Sequence, residues 1–498
     1  MATVTWNGMR LSVESGVLLS DAVLAFHPLE MPCGGRGTCG KCRVKAEGGL
    51  SPVSVQERAC LTEEELAAGV RLACCCRVLG DCRVWRPEEG GGVVRLSGEE
   101  TGFEQAPMFA HYGAAVDLGT TTIAARLYGR NGLLAESGDY NPQRAYGADV
   151  ISRVGASCAG KGEELAGCVR RKISGLLAEM ASQAGIGAAE LDAVVLTGNT
   201  AMLYLLTGRP PQCLAAAPFE ADRLFGEFVK GAELGLPCPS ASVYLPSCMS
   251  AFVGADIACA VLASGMTRRR ESALLADIGT NGEIVLWHNG KTACCSTAAG
   301  PAFEGAGLSM GMSGKPGAVD HVKVEDGKLL AHVIGETAPV GICGSGVIDA
   351  VACLLKTGML DETGFLEDSP ATIAGAVGVT GEDIRMIQLA KSAVCSGIES
   401  LLHHAGLSCG VMPELLVAGG FGSYLDVGSA AAIGLIPAAL AGNTRPIGNA
   451  ALSGASMLLQ SRPLVEELEG IARNSATLDL STDSFFLEAY VENMLFPE

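Results

Sequence analysis

Two segments of this chain share one pattern, an apolar strand-like run that ends in Asp, an aliphatic residue, Gly and Thr. The first spans residues 115–122 and the second spans 275–283. Each leads into a second apolar run and then a turn, at Asn131-Gly132 in the first copy and at Asn289-Gly290 in the second. Such internal repetition predicts that most of the chain after residue 111 is built from a duplicated βββαβα unit.

The residues that end these two runs suit the binding of phosphate groups. A strand–turn–strand connection with Gly-Thr presents backbone N–H and hydroxyl groups to oxyanions. The acids at the strand ends, Asp117 and Asp277, can hold Mg²⁺ through water or orient a water nucleophile. The other candidate phosphate-binding residues are Gly119, Thr120 and Thr121 in the first turn, and Gly279, Thr280 and Asn281 in the second.

A third apolar run ends in glycines late in the chain. Residues 415–418 are Leu-Leu-Val-Ala, and Gly419, Gly420 and Gly422 follow directly. A glycine turn at the end of a strand allows the sugar, base or α-phosphate of a nucleotide to approach the backbone closely. We therefore expect these glycines to face an adenosine, and residues 194–200 occupy the matching place in the first half.

The first hundred residues carry a different signal, because eight of the 20 cysteines lie between Cys33 and Cys82. Cys33, Cys39 and Cys42 follow the spacing C-x5-C-x2-C within a glycine-rich loop. A loop that holds an iron–sulfur cluster needs such glycines, since backbone N–H groups must point at the sulfurs. This spacing favours a 2Fe–2S cluster over structural zinc, which is usually held by two C-x2-C pairs.

The fourth cluster ligand is left open by spacing alone, because Cys74, Cys75 and Cys76 are adjacent. At most two of them can point to one side of an extended segment. The surrounding pattern predicts a β-grasp ferredoxin module, with a hairpin at Asn7-Gly8, a helix, the cysteine loop, a strand, a helix and a second hairpin at Gly80-Asp81.

These signals divide the chain into three parts. We expect a 2Fe–2S ferredoxin-like domain over residues 1–86, a flexible linker over 87–111 and a two-lobed ATPase domain over 112–498. The linker prediction depends on Gly90-Gly91-Gly92 and on the Pro and Glu residues around it. Within the last domain, lobe one covers about 112–270 and lobe two covers about 271–498.

Charge and hydropathy exclude two classes of partner. The chain has 35 basic and 54 acidic residues, a net charge of −19. This balance argues against nucleic acid and against anionic lipid, which both require a basic face. No apolar run is long enough for a transmembrane helix, and no secretory signal is recognised at the N-terminus. We therefore expect a cytoplasmic protein that binds no membrane.

The two turns with the pattern Asp, aliphatic residue, Gly and Thr are called the Asp-Gly-Thr turns. Together with the late glycine turn, they resemble the phosphate and adenosine loops of the actin, sugar kinase and Hsp70 superfamily. Within it, the chain resembles the reductive activators of corrinoid proteins, which join a ferredoxin to such an ATPase. The segments that carry this closer resemblance are residues 141–143, 147–153, 198–202, 344–346 and 448–451. Many of these activators carry an additional middle domain, which we expect to be absent here.

The resemblance implies a fold, a set of ligands and an activity. ATP and Mg²⁺ would bind between two lobes, and Cys74 would be the fourth cluster ligand. Gly344, Ser345 and Gly346 would help to hold the nucleotide or a partner, although a structural turn accounts for them equally well. Asp149 is a second Mg²⁺ candidate, with helix capping as its alternative. The chain would pass one electron from its cluster to Co(II), regenerating Co(I).

The implied partners are a corrinoid protein of a methyltransferase system and an upstream low-potential electron donor. A homodimer through the ATPase domain would fit the superfamily. Three other functions remain open from the sequence. They are an activator of another low-potential enzyme such as a 2-hydroxyacyl-CoA dehydratase, a redox-sensing regulator that binds ATP, and a small-molecule kinase fused to a ferredoxin.

Overall fold

The structure is a computed structural model that describes residues 1–6, 9–24, 29, 31, 35–38, 40–85, 96–422 and 424–497. A five-stranded module comes first and is followed by two lobes, each built on a six-stranded sheet. This order confirms the predicted β-grasp module and duplicated two-lobed unit. Within the described ranges, no helix combines the length and the apolar character needed to cross a bilayer.

The N-terminal module is a mixed sheet with the strand order β2-β1-β5-β3-β4 and three short helices. Side chains of the first strand alternate between buried and partly exposed, as expected for a strand with one face on a core. The predicted first hairpin is present, since Trp6 pairs with Met9, while its turn residues Asn7 and Gly8 lie outside the described residues. The strands are β1 (Ala2–Trp6), β2 (Met9–Val13), β3 (Arg43–Leu50), β4 (Val70–Leu72) and β5 (Val78–Trp85), and the helices are α1 (Leu19–Leu24), α2 (Val55–Cys60) and α3 (Glu63–Ala67).

The second predicted hairpin of this module, at Gly80-Asp81, is wrong. Strand β5 runs without a turn and pairs with β1 on one side and β3 on the other. A β-carbon on Gly80 would lie 3.5 Å from the Cα of Gly49, an ordinary contact, whereas a β-carbon on the opposing Gly49 would lie 2.5 Å from the Gly80 Cα. Glycine is required at position 49 for the approach of two strands and not for a reversal of the chain.

Residues 96–111, predicted as part of the flexible linker, are instead attached to the two lobes. The amide of Glu99 donates to the carbonyl of Ile447, that of Thr101 to Ala263 and that of Met108 to Leu459. Phe109 is buried in the same core as these elements. Backbone hydrogen bonds and apolar side chains therefore hold this stretch, so the prediction was wrong for it. Residues 86–95 lie outside the described residues, and a tether there stays a prediction.

Lobe one contains the first repeated segment and has the sheet order β10-β11-β9-β6-β7-β8. Helix α5 covers this sheet with a buried apolar face that includes Leu165, Val169 and Ile173. The strands are β6 (Tyr112–Leu118), β7 (Thr122–Gly129), β8 (Gly132–Tyr140), β9 (Leu191–Gly198), β10 (Glu227–Lys230) and β11 (Ser242–Leu245), and the helices are α4 (Val150–Ala156), α5 (Gly162–Gln183), α6 (Thr200–Thr207), α7 (Gln212–Ala215) and α8 (Ala255–Ser264).

Lobe two contains the second repeated segment and has the sheet order β21-β20-β12-β13-β14-β22, with two smaller sheets beside it. The strands are β12 (Ala273–Ile278), β13 (Gly282–His288), β14 (Lys291–Thr297), β15 (Ala318–Glu325), β16 (Lys328–Val333), β17 (Gly341–Ile342), β18 (Ala371–Ala374), β19 (Val377–Val379), β20 (Leu415–Ala418), β21 (Thr444–Gly448) and β22 (Ser475–Thr477). The helices are α9 (Gly344–Thr357), α10 (Gly381–His404), α11 (Gly419–Gly422), α12 (Val427–Ala432), α13 (Ala450–Gln460), α14 (Leu464–Arg473) and α15 (Ser484–Glu492).

The topology confirms the duplication predicted from the two Asp-Gly-Thr segments. In each lobe the segment lies at the first turn of an antiparallel meander, β6-β7-β8 or β12-β13-β14. A later strand runs parallel to the first strand of each meander, β9 beside β6 and β20 beside β12. Since parallel strands end at the same sheet edge, the glycine turns after β9 and β20 lie next to the Asp-Gly-Thr turns.

Helices α8 and α13 pack against each other between the two large sheets and share one apolar core with them. Their contact is tight, because a β-carbon at Gly454 would lie 2.0 Å from the carbonyl oxygen of Cys259. Gly254 precedes α8 and Asn449 precedes α13, so both helices begin at the junction of the lobes.

Candidate nucleotide and cluster sites

Four acidic side chains gather where the two lobes meet. Asp117 lies near the end of β6 and Asp277 near the end of β12, so the duplication places them at equivalent positions. Asp256 lies in the first turn of α8, and Glu283 lies at the start of β13. All four side chains remain partly exposed, so they line an interlobe site instead of filling a core. Hereafter these four residues are the acidic cluster.

Burial raises the pKa of every member of the acidic cluster, and repulsion between the members raises three of them further. The pKa of Asp117 rises to about 6, that of Asp277 to about 7 and that of Asp256 to about 8. The pKa of Glu283 is raised well above its ordinary value. For Asp117, burial is opposed by a 3.0 Å hydrogen bond from Nδ2 of Asn449. A bound divalent cation would relieve both the burial and the repulsion.

The acidic cluster is not by itself a complete metal-binding group. In the part of the chain that the structure describes, no three acidic, cysteine or histidine side chains are arranged to hold a metal ion. Mg²⁺ usually keeps several waters and takes one or two carboxylates together with substrate phosphates. The arrangement therefore suits an Mg²⁺ ion that arrives with a nucleotide.

A fifth acid, Glu304, joins the two repeated turns. Its Oε2 accepts a hydrogen bond from Thr121 Oγ1 at 2.8 Å and another from Thr280 Oγ1 at 3.0 Å. Each threonine is the residue predicted to meet phosphate in its own lobe. One carboxylate oxygen therefore accepts hydrogen bonds from threonine hydroxyls of both predicted phosphate turns.

Asparagines hold the first predicted phosphate turn. Asn141 Nδ2 donates to the carbonyl of Gly119 at 2.8 Å, and Asn199 Nδ2 donates to Thr120 Oγ1 at 3.1 Å. A β-carbon at Gly119 would lie 2.9 Å from the carbonyl oxygen of Thr122, so the turn is tight. The backbone of the turn is thereby fixed with the Thr120 and Thr121 hydroxyls at the junction of the lobes.

The second turn is closed by its own backbone. The amide of Gly279 donates to the carbonyl of Asn281 at 2.9 Å, and the amide of Gly300 donates to the carbonyl of Thr280 at 2.8 Å. A β-carbon at Gly279 would lie 3.4 Å from Glu304 Oε1. The two predicted phosphate turns thus lie on either side of Glu304.

The late glycine turn lies beside the second phosphate turn. Gly419 has a φ of +91°, and a β-carbon there would lie 2.5 Å from Asp277 Oδ1. Gly419, Gly420 and Gly422 form the short helix α11 that follows β20. The structure thus brings these predicted adenosine-facing glycines together with Asp277. Glycine at position 419 leaves the Asp277 carboxylate uncovered.

Gly344, Ser345 and Gly346 were predicted to help hold the nucleotide or a partner, but the contacts described for them lie away from the acidic cluster. They form the buried first turn of α9, and Ser345 Oγ donates to the carbonyl of Asp320. A β-carbon at Gly346 would lie 2.2 Å from the carbonyl oxygen of Val319. Close packing of α9 on β15 therefore accounts for Gly346, in line with the structural alternative for this segment.

Asp149, the second Mg²⁺ candidate, caps helix α4. Its Oδ1 accepts from the amide of Ser152 at 2.7 Å and its Oδ2 accepts from the Ser152 hydroxyl at 2.9 Å. Both carboxylate oxygens are thereby engaged at a helix start, the pattern of an N-cap. The capping alternative therefore describes the contacts that Asp149 makes in the structure.

The cysteine loop has part of its predicted ligand set in place. Cys33 and Cys39 lie outside the described residues. Cys42 Sγ and Cys74 Sγ are 3.3 Å apart, and both residues are buried. The contact with Cys42, together with burial, raises the pKa of the Cys74 thiol. A thiolate at this position therefore needs a positive neighbour, which iron would supply.

The three adjacent cysteines differ in their surroundings. Cys75 Sγ lies 3.6 Å from Cys74 Sγ at the side of the loop, whereas Cys76 is fully buried in the core of the module. A β-carbon at Gly37 would lie 2.5 Å from Cys75 Sγ. Gly35, Gly37 and Gly40 all have positive φ, which lets the backbone of the loop turn beside Cys74 and Cys75. The geometry fits a cluster held on the side of Cys42 and Cys74.

Sequence reasoning missed four residues of the interlobe site, namely Asp256, Glu283, Glu304 and Asn449. Asp256 lies in no motif that the sequence analysis recognised, and Glu304 follows a Pro-Ala-Phe segment that matches no motif either. Asn449 was noticed only as part of a family segment. The usable signal for Asp256 and Asn449 was a nearby preceding glycine, in Gly254-Ala255-Asp256 and Gly448-Asn449. Helices begin at both places.

Three family models match the chain in succession. The 2Fe-2S iron-sulfur cluster binding domain matches residues 4–79, the RACo middle region matches 112–269, and the C-terminal domain of RACo, the ASKHA domain, matches 271–498. The middle region is therefore present as lobe one, which corrects the expectation that a middle domain is absent. Together the models place the chain among ferredoxin-fused proteins with an ASKHA domain.

Similar proteins identify the family within that class. The corrinoid activation enzyme RamQ of Eubacterium limosum is 35% identical over 420 residues, which are 77% of this chain and 70% of that protein. The Methanosarcina barkeri protein named [Co(II) methylated amine-specific corrinoid protein] reductase is 27% identical, and the match covers 55% of this chain and 54% of that relative. A solved structure titled reductive activator for corrinoid, iron-sulfur protein covers 100% of this chain and 99% of that chain, with a TM-score of 0.72 and 27% identity. This chain belongs to the RACo family.

Proposed function

We propose that this chain is an ATP-dependent reductive activator of a corrinoid protein, regenerating Co(I) from Co(II) for a corrinoid-dependent methyltransferase system. The observation that carries the proposal is the union in one chain of a cysteine-loop β-grasp module and an interlobe site with two Asp-Gly-Thr turns. The names of its relatives, which refer to corrinoid activation and Co(II) corrinoid protein reduction, support it.

The ferredoxin module would hold a 2Fe–2S cluster through Cys33, Cys39, Cys42 and Cys74. When bound, such a cluster supplies one electron at low potential, at roughly −400 mV in plant-type ferredoxins. The chain orients the loop by three glycines with positive φ and keeps Cys42 and Cys74 buried beside each other. An upstream low-potential donor would reload the module after each transfer.

The interlobe site would hold Mg²⁺ and ATP. The hydroxyls of Thr120, Thr121 and Thr280 and the amides around Gly119 and Gly279 would face phosphate oxygens. Asp117 and Asp277 would hold the hydrated cation, and Asp277 would orient the water that attacks the terminal phosphate. Asn281 would close the second turn, while Gly419, Gly420 and Gly422 would face the adenosine.

ATP would supply the energy difference if the potential of the cluster is not low enough by itself to reduce Co(II) to Co(I). Each 59 mV by which the cobalt potential lies below the cluster costs about 1.4 kcal/mol for one electron. Nucleotide binding at a junction of two lobes can select one lobe arrangement, and that arrangement can favour a complex in which cobalt is easier to reduce. Asp117 and Asp277 lie on different lobes, so one cation between them would link nucleotide binding to lobe position.

The test is formation of Co(I) under anaerobic conditions. The reduced chain is mixed with a Co(II) corrinoid protein, with and without Mg-ATP, and the Co(I) absorption band is followed. We expect Co(I) only with ATP, and we expect its loss in Asp277→Asn and in Cys42→Ala. Asp326→Asn and Cys158→Ala change an acid in an exposed turn and an exposed cysteine, and both controls should behave as the unchanged chain.

One result of this experiment would contradict the proposal. If the chain hydrolyses ATP and its cluster is reduced, yet no corrinoid protein tried yields Co(I), then corrinoid reduction is not its function. The iron content and optical spectrum would then be compared with those of activators that hold a 4Fe–4S cluster, and nucleotide-dependent partner binding would test the sensor alternative.

A further inference from the structure

The ferredoxin module contacts both lobes, and each contact lies close to a predicted phosphate turn. Lys41, in the cysteine loop, donates from Nζ to the carbonyl of Gly311 in lobe two at 3.0 Å. On the other side, Ala145 and Tyr146 of lobe one pack into the apolar core of the module. The module therefore contacts both lobes, and its contact with lobe two is made by the loop that carries its predicted cluster ligands.

The contact on lobe two is joined to Glu304 through a compact loop. Glu304 holds the hydroxyls of Thr121 and Thr280, and Gly305 follows it directly. The loop then folds back, so that a β-carbon at Gly311 would lie 2.2 Å from the carbonyl oxygen of Gly305. Backbone therefore packs directly on backbone, so a shift of the backbone at Glu304 and Gly305 would be passed to the carbonyl that Lys41 contacts.

The contact on lobe one is joined to the first phosphate turn in a similar way. Asn141 donates from Nδ2 to the carbonyl of Gly119 and from its amide to the carbonyl of Thr121. Its Oδ1 accepts from the amide of Gln143 and so caps the short 3₁₀ helix Pro142–Ala145. The helix that ends at Ala145 is thus held by the same backbone that would receive phosphate.

We infer that Glu304 couples nucleotide binding to the docking of the ferredoxin module. This inference rests on the proposed function, since it assigns the regulation of the same interlobe site. Without nucleotide, Glu304 holds the hydroxyls of Thr121 and Thr280, and the module is docked through Lys41. The anionic phosphates of ATP need those hydroxyls and repel the Glu304 carboxylate, so nucleotide displaces Glu304 and its loop. Loss of the Gly311 contact releases the cysteine loop toward other partners.

The reactivity of the Lys41 amine reports docking directly. The full-length chain with its cluster is acylated briefly with N-hydroxysuccinimide acetate under anaerobic conditions, and modification of Lys41 is measured by mass spectrometry relative to Lys45 as internal reference. Nucleotide binding is measured on the same samples by calorimetry with Mg²⁺ and a non-hydrolysable ATP analogue. In the unchanged chain we expect the analogue to raise Lys41 acylation by on the order of tenfold, as a local contact opens.

Variants at position 304 separate hydrogen bonding from charge. Glu304→Ala removes both hydrogen bonds, so Lys41 should react rapidly even without nucleotide and the analogue should add nothing. Glu304→Gln keeps an acceptor oxygen but removes the charge, so Lys41 should stay protected and the response to the analogue should shrink. Glu336→Ala changes an exposed glutamate of lobe two and should match the unchanged chain.

Three outcomes overturn the inference, and they lead to different conclusions about the proposed function. If the analogue binds and Lys41 acylation does not change, Glu304 does not couple the two sites, and the proposed function stands. If the chain binds no nucleotide at all, the inference and the proposed function fail together. A response in Glu304→Ala equal to that of the unchanged chain also overturns the inference, because some other residue then carries the coupling.

Discussion

Asn449 donates a hydrogen bond from Nδ2 to Asp117 Oδ2 at 3.0 Å, and so joins the start of helix α13 to the end of strand β6. The same side chain accepts from the amide of Leu452 through Oδ1 at 2.8 Å, which caps α13. Asn449 thus has two roles, one at the acidic cluster and one at a helix terminus. The two roles can be separated, because they use different atoms of the amide.

Replacing Asn449 by aspartate should weaken binding of Mg-ATP while preserving the helix cap. Aspartate keeps an oxygen for the Leu452 amide, but it cannot donate to Asp117 and it adds a negative charge beside that acid. A hydrogen bond to a charged group contributes about 1.5–3 kcal/mol, so affinity should fall by one to two orders of magnitude. Calorimetric titration with Mg-ATP measures the change.

The control for that experiment is Asn443→Asp. Asn443 also lies in lobe two, and its side-chain amide donates a hydrogen bond to the carbonyl of Met412. Mg-ATP affinity should be unchanged in this variant. Equal affinities for Asn449→Asp and the unchanged chain would show that the Asp117 contact does not bear on the nucleotide site.

The raised pKa values of the acidic cluster predict how Mg-ATP affinity depends on pH. Asp117, Asp277 and Asp256 have pKa values of about 6, 7 and 8, so they hold protons in the cation-free chain below these values. A cation binds the ionised carboxylates and releases those protons. Affinity should therefore rise between pH 6 and pH 8, by up to about tenfold per pH unit for each proton released.

Stability of the cation-free chain should change in the opposite direction. An acid whose pKa is raised in the folded state holds a proton that the unfolded chain releases, so stability falls as pH rises from about 4 to about 8. Mg-ATP should therefore raise the thermal midpoint more at pH 8 than at pH 6. Thermal melts at both pH values, with and without Mg-ATP, check the sign. An equal increase at both would mean that cation binding releases no protons from the cluster.

The parts of the fold that the sequence predicted well are those with local signals. Asn289 and Gly290 have φ of 51° and 75°, the turn that an Asn-Gly pair between two strands predicts. Asp117 and Asp277 could be matched because the duplication repeats a short pattern around each. Both features depend on residues close together in the chain, so no long-range contact had to be known.

The parts that could not be predicted depend on the assembly of distant segments. Glu304 joins the site only when two turns from different lobes approach it, and Asp256 joins only when α8 lies between the two sheets. Residues 96–111 resemble a linker in composition, yet the backbone of Ile447 and Leu459 gives them hydrogen-bond partners far along the chain. The spacing of apolar residues and the local preference for helix or strand carry no information about partners so far along the chain.

The positions of the adjacent cysteines predict which of them is the fourth cluster ligand. Cys74→Ala should abolish the 2Fe–2S cluster, because Cys74 Sγ lies 3.3 Å from Cys42 Sγ at the side of the loop. Cys76→Ala should retain it, since Cys76 is fully buried in the module core. Iron content and the visible circular dichroism spectrum of the anaerobically reconstituted chains measure the outcome. Loss of the cluster in a folded Cys76→Ala chain, with retention in Cys74→Ala, would contradict the assignment.

A buried ion pair fixes the segment that carries Cys74. Arg71 donates from Nε and Nη2 to the carboxylate of Glu57, at 2.7 and 3.0 Å, and Glu57 also accepts from the amides of Ser54 and Leu72. Glu57 is completely buried and Arg71 is only 8% exposed. Burial opposes the charged form, yet the hydrogen bonds from Arg71 and Ser54 hold the pKa of Glu57 below its ordinary value. The pair therefore ties helix α2 to the residues just before Cys74.

Replacing Arg71 by methionine should destabilise the ferredoxin module and impair cluster retention. The change leaves the Glu57 carboxylate buried without its cation, which costs about 3–5 kcal/mol. Guanidinium chloride titration followed at the cluster absorbance should show an earlier transition. Because the depressed pKa stabilises the fold only while Glu57 is ionised, the unchanged chain should itself lose this contribution as pH falls below about 4.5. The double variant Arg71→Met with Glu57→Gln removes the unpaired charge, so it should recover much of the loss. A double variant as unstable as Arg71→Met alone would show that lost packing, and not the uncompensated carboxylate, causes the effect.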